Sequence, residues 1–243
     1  MGTRLFQSST PQTMRLLCAS AMALAALCSA VASSPARAGE TPPEDSRPLS
    51  AAQIALFETP HLRNVARAET LDYSYVREGP AGFTDKIALH IRRVNADGTK
   101  NVAFDYLTGE RQVRFPELDN FQGNPLLMLA LERDVNDMKG QVGLSTSYFR
   151  NKIREAFVTK AAVTQATFDL QGATVPAQVI TVQPFEGDQR LERIPSLQAK
   201  TYSFVLADAV PGMLAEIRIG TPADTKMDAP AMSQRMTFIG VEP

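Results

Sequence analysis

The chain of 243 residues holds 25 basic and 26 acidic residues, a net charge of −1, two histidines, two cysteines and no tryptophan. With no cluster of Lys and Arg to neutralise phosphates, the composition argues against nucleic-acid binding. Cys18 and Cys28 both fall in the N-terminal apolar run, so disulfides, thiolate nucleophiles and cysteine-held metal or haem are not expected in the folded part.

That run, Leu16 to Ala32, follows Arg15 and leads into Ser33-Ser34-Pro35-Ala36-Arg37-Ala38. A basic segment, an apolar core and a small-x-small end are the parts of a secretory signal. Ala36 and Ala38 are the small side chains that signal peptidase recognises, which predicts a cut after Ala38. A spanning helix wants about 20 clearly apolar residues, and this run is shorter and rich in Ala and Ser. Translation from Met14 instead of Met1 would give a more compact signal. The expected address is periplasmic or secreted. Cleavage removes Arg4, Arg15, Arg37 and no acid, leaving 205 residues at −4. That length suits one domain over residues 50–243, behind a polar, proline-rich lead-in at 39–49.

Ser50 is placed to cap a short helix through Phe57, which Thr59-Pro60 stops. Leu71, Tyr73 and Tyr75 then share one face of a strand. Ile87, Leu89 and Ile91 alternate with Lys86, Ala88, His90 and Arg92 in the next. Asn95-Ala96-Asp97-Gly98 marks a hairpin, and Val102, Phe104 and Tyr106 line the returning strand. A two-residue turn would pair Ile91 with Phe104, whereas a four-residue loop would set Ala103 opposite His90; the sequence fits both. Arg111 to Phe115 reads as one more short strand.

The period then changes. Asn124 caps, Pro125 fits the first helical position, and Leu127, Met128, Leu131, Val135 and Met138 form a stripe that exits at Gly140. A second helix runs from Ser147 to Phe157 and buries Phe149, Ile153 and Phe157. Strands return over 158–170, 174–183, 201–207, 214–219 and 235–241. A β-run, a helical pair and a longer β-run predict an α+β domain. The expected form is a strongly curved, half-barrel-like antiparallel sheet with the helices on its concave face. The alternative is a closed β-barrel with external helices.

Chemistry is sparse. His61 and His90 lack zinc-ligand spacing, and Gly-x-Ser-x-Gly and phosphate-loop patterns are missing. No metal, cofactor or catalytic residue is expected. Two carboxylate pairs remain, Asp105 with Glu110 at a turn and Asp134 with Asp137 on the first helix, the latter read as a solvated outer face. Met227, Met232 and Met236 could offer thioethers to Cu(I), with Met236 read first as core.

Val102 to Phe115 (VAFDYLTGERQVRF), Asn124 to Val135 (NPLLMLALERDV) and Tyr148 to Arg154 (YFRNKIR) resemble uncharacterised exported proteobacterial proteins. In element order alone the chain is similar to periplasmic lipoprotein carriers, half-open barrels whose helices lid an apolar cavity. That resemblance transfers no functional residue. It implies a non-catalytic carrier of an apolar or lipid-like ligand, placed here against Leu89, Ile91, Phe104, Tyr106, Leu127 and Leu131, a set that packed core would equally explain. The alternatives are an accessory factor that binds another exported protein, through an exposed apolar patch or a free sheet edge, and a carboxylate-dependent enzyme.

Overall fold

The computed structural model describes residues 48–223 and 230–242, and among these alternating apolar and polar side chains lay down nine strands. The segment predicted as a signal, with Ala36 and Ala38, the predicted lead-in up to Arg47, and Met227 lie outside the described residues. The chain enters through one helical turn, α1 (Ala51–Gln53), which continues as a wider turn over Ile54–Glu58 and a 3-10 turn over His61–Asn64. Ser50 caps as expected. Its Oγ accepts from the Gln53 amide at 3.1 Å while Gln53 Oε1 accepts from the Ser50 amide at 2.9 Å. This reciprocal box satisfies two amides the helix end leaves free.

Four strands follow: β1 (Glu69–Glu78), β2 (Phe83–Val94), β3 (Lys100–Tyr106) and β4 (Leu118–Phe121). The β2–β3 register sets Leu89 opposite Phe104 and Ala103 opposite His90, so the hairpin takes the longer loop. The predicted strand at 111–115 is instead a 3-10 turn at Gly109–Arg111 and a single bridge from Val113 to Tyr106. Pro116 lacks the amide a ladder needs, and the strand forms beyond it.

Asn124 Oδ1 accepts from the Leu126 amide at 3.1 Å and starts α2 (Pro125–Val142). The helix runs past Gly140 to Gly143, whose φ of 76° suits the left-handed residue that ends a helix. Ser145 caps α3 (Thr146–Thr159), longer than expected by a turn's fraction at each end. Then come β5 (Ala162–Leu170), β6 (Ala173–Val182), the short α4 (Pro195–Gln198), β7 (Thr201–Leu206), β8 (Leu214–Thr221) and β9 (Met232–Glu242).

The strand order is β4-β3-β2-β1-β9-β8-β7-β6-β5, antiparallel throughout. The last strand therefore inserts at the centre beside β1, and the helical pair links the two edges. β4 and β5 do not pair, so the sheet is open and the closed-barrel alternative falls. It is also curled. Gln171, at the β5–β6 turn, donates to the Ile239 carbonyl of β9 at 3.2 Å. Four strand spacings in a flat sheet would hold β5 and β9 ~19 Å apart, so this half of the sheet bends back toward β9. The hairpin shows the same bend in its burial. Val163 and Ile180 are its covered pair at one end, whereas Ala166, Phe168 and Leu170, on the opposite face, are covered toward the tip.

One apolar row crosses the inner face in register, through Tyr75, Met236, Ile217, Phe204, Ile180 and Val163. A second runs through Tyr106, Ile87, Tyr73 and Phe238. The helices cover them with Leu127, Leu131, Val135 and Met138 from α2 and Phe149, Ile153 and Phe157 from α3. Each fully buried side chain of this size contributes ~1.5–3 kcal/mol, which is why the helices stay on the sheet.

Candidate functional site

Five of the six residues expected to line a ligand cavity are buried in this core. Leu89 is 0% exposed, Leu127 1%, Ile91 and Tyr106 2% and Leu131 9%, while Phe104 is partly buried against them. None of the six lines the depressions described below.

The largest of these, ~530 Å³ and within the range of small-molecule sites, opens at one end of the trough that the curled sheet forms beneath its helices. It lies between the turns following α1, the β5–β6 hairpin and the 207–213 loop. Of its lining, Ala177, Leu206 and Met213 belong to the buried set, at 4%, 5% and 7% exposure. Gln165 and Gln178 supply amides, and Arg63 pairs with Asp208 at 3.1 Å on the rim. Periodicity could not have found this place, because it is assembled from a turn, a hairpin and a loop far apart in sequence.

Behind this mouth, and reaching it at Ala55, runs a network of hydrogen bonds. His61, 0% exposed, holds the Ala55 carbonyl with Nε2 at 2.7 Å and accepts from the Asn124 amide with Nδ1 at 3.2 Å. Asn124 Nδ2 donates to the Gly212 carbonyl at 3.0 Å, and the Gly212 amide donates to Asn64 Oδ1 at 2.9 Å. Asn64 Nδ2 in turn donates to the Val210 carbonyl at 2.7 Å. The 54–64 turns, the start of α2 and the 207–213 loop are thereby tied at one point. Burial lowers the His61 pKa, and the Arg63 charge adds to that, while the bond to Ala55 opposes it.

The far end of the trough is charged. Asp134, read from sequence as part of a solvated face, is 1% exposed. Its carboxylate takes bonds from Lys200 Nζ and the Tyr202 hydroxyl, both at 2.6 Å. Burial, then the Asp134 charge, raises the Tyr202 pKa well above its ordinary value. The helical spacing that suggested an outer face fits an inner one equally well; the side α2 turns inward is decided by Tyr202 on β7 and Lys200 just before it. Asp137 lies beside it, and with Arg77 lines a cleft of only ~30 Å³, room for about one water.

Asp105 and Glu110 form no comparable site. Asp105 accepts from His90 Nε2 at 2.8 Å, and Thr70 Oγ1 lies 3.0 Å from His90 Nδ1. This hydroxyl–imidazole–carboxylate chain resembles the order a hydrolase needs, yet it lies on the open outer face and outside the depressions above. Glu110 is exposed in a turn. Met236 is core at 3% exposure and Met232 starts β9.

No family model and no curated protein sequence matches the chain. Among solved structures, it is similar at 8% identity and a TM-score of 0.21 to a LolA superfamily protein from Nitrosomonas europaea, over 79% of this chain and 92% of that one. A likeness at that score establishes neither family nor function. What stands on this chain's own geometry is an open nine-stranded antiparallel sheet with a helical pair on its inner face.

Proposed function

We propose that this is an exported, non-catalytic binding module that carries an apolar or lipid-like ligand, with the ligand entering at the mouth beside Arg63 rather than among the six core residues. Export rests on the N-terminal sequence pattern alone. The observation that carries the binding reading is the ~530 Å³ depression, three of whose lining residues, Ala177, Leu206 and Met213, are buried hydrophobics. An acyl chain laid there exchanges water for Ala177, Leu206 and Met213, at ~0.8 kcal/mol per buried methylene. The filled core makes the site shallow, so the reading favours a single chain over a bulky multi-chain lipid.

The test is native mass spectrometry of residues 39–243 purified gently, with uptake of a fluorescent fatty acid. A lipid-sized adduct, and probe binding weakened by Ala55→Phe in the mouth wall, would support the reading. A bare mass with no uptake would overturn it.

A second reading has its own observation. β5 is a nine-residue edge strand whose only charge is Asp169, and Ile54 and Phe57 in the turns after α1 are 50% and 38% exposed. Long uncharged edges are templates for another strand, which would favour an accessory factor for another exported protein. Crosslinking at Thr164 would then capture a partner strand, and its absence across native partners would count against this reading.

A further inference from the structure

We propose that His61 is an acid-sensitive latch on the mouth, holding the 54–64 turns against the start of α2 when neutral and releasing them when protonated. The proposal rests on the binding reading above for its consequence, but not for its mechanism.

The mechanism follows from the two ring nitrogens. Ala55 offers a carbonyl, so Nε2 must carry the proton; Asn124 offers an amide N–H, so Nδ1 must carry none. The neutral tautomer satisfies both partners. A second proton on Nδ1 would face the Asn124 amide, donor against donor, in a site with no exposure to water. One of the two contacts then has to open; the first holds Ala55, which lines the mouth, and the second holds the start of α2.

The surroundings leave little to stabilise a charged ring. Arg63, on the same turn, repels it, and its own partner Asp208 sits on the 207–213 loop at the rim. The ring lies at the N-terminal end of α2, where the helix dipole also disfavours a cation, and the first turn of α2 carries no acid. From β1 the nearest network member is the Tyr73 hydroxyl, 3.4 Å from Asn124 Nδ2 and uncharged. Release also has a route. Asn124 is the cap of α2 and the partner of Gly212, so losing its amide bond loosens the helix start and the loop that floors the mouth together.

The sign is fixed by the depressed pKa. The unfolded chain takes up a proton near ~6.5 while the folded one resists, so the latch is fully stable above that pH and weakens as pH falls toward the lower folded value.

The experiment follows hydrogen exchange of ligand-free residues 39–243 between pH 8 and 5, corrected for intrinsic rates. Expected is an exchange rate over 54–64 and 122–128 rising by up to ~tenfold per pH unit below ~6.5, and a pH-independent rate in His61→Gln. The same rise in the variant, or none in the wild type, would overturn the latch. Should the variant not fold, imidazole NMR of the wild type decides: the buried ring must titrate below ~6.5, at the pH where the rise in exchange levels off, and titration with exchange unchanged would sink the idea. Binding of cis-parinaric acid adds the second arm. Release in acid that is lost in His61→Gln supports regulation of the site. No binding at any pH overturns the carrier reading, leaving the exchange data to judge the latch alone.

Discussion

The two ends of the trough hold α2 in place by different physics. At the mouth end the contacts are neutral hydrogen bonds, His61 and Asn124 meeting backbone groups of three segments. At the far end they are ionic, Asp134 against Lys200 and Tyr202. The neutral end can open locally because each bond is worth only ~1 kcal/mol net. The ionic end cannot be opened cheaply, since separating Asp134 from Lys200 leaves charges stranded beneath a helix. On the proposed latch, opening would begin at the mouth while the other end stays anchored.

Removing the anchor should cost most. Asp134→Ala strands Lys200 and should lower the unfolding free energy by ~3–5 kcal/mol in urea titration, whereas Asp134→Leu with Lys200→Met should recover most of the loss. Leu89→Ala comes next and separates packed core from cavity. A filled core predicts a loss of ~2–5 kcal/mol, while a residue lining open space would lose far less. At the mouth, Gly212→Ala is expected to cost ~1–3 kcal/mol. Its φ is 73°, and a Cβ would meet Leu71 Cδ1 at 2.8 Å; both show as a lower midpoint of thermal unfolding. Smallest is Asp208→Ala. Its pair with Arg63 is 80% and 50% exposed and should change stability by less than ~1 kcal/mol.

The two ends were also unequally legible in the sequence. The sheet's inner face was readable because strands repeat every second residue: Leu71, Tyr73 and Tyr75, and Ile87, Leu89 and Ile91, stand where alternation puts them. Asn124-Pro125 announced α2 through cap chemistry that is local. Asp134 was misread because an acid flanked by Arg133 has the pattern of a wet helix face, and its partners Lys200 and Tyr202 lie more than sixty residues away. His61 offered no motif either. Its importance comes from a buried amide at Asn124 that only the fold supplies. The mouth was invisible for the same reason, being a gap between segments rather than a pattern within one.

The claim that the mouth is the binding site can be tested with one substitution, because the chain has no tryptophan of its own. Ala209 lines the depression and is exposed, so Ala209→Trp places a lone indole at the rim. Titration with cis-parinaric acid should give saturable energy transfer from that indole, abolished when Ala55→Phe fills the wall. Probe binding without transfer, or with transfer unchanged by Ala55→Phe, would place the ligand elsewhere and contradict the account.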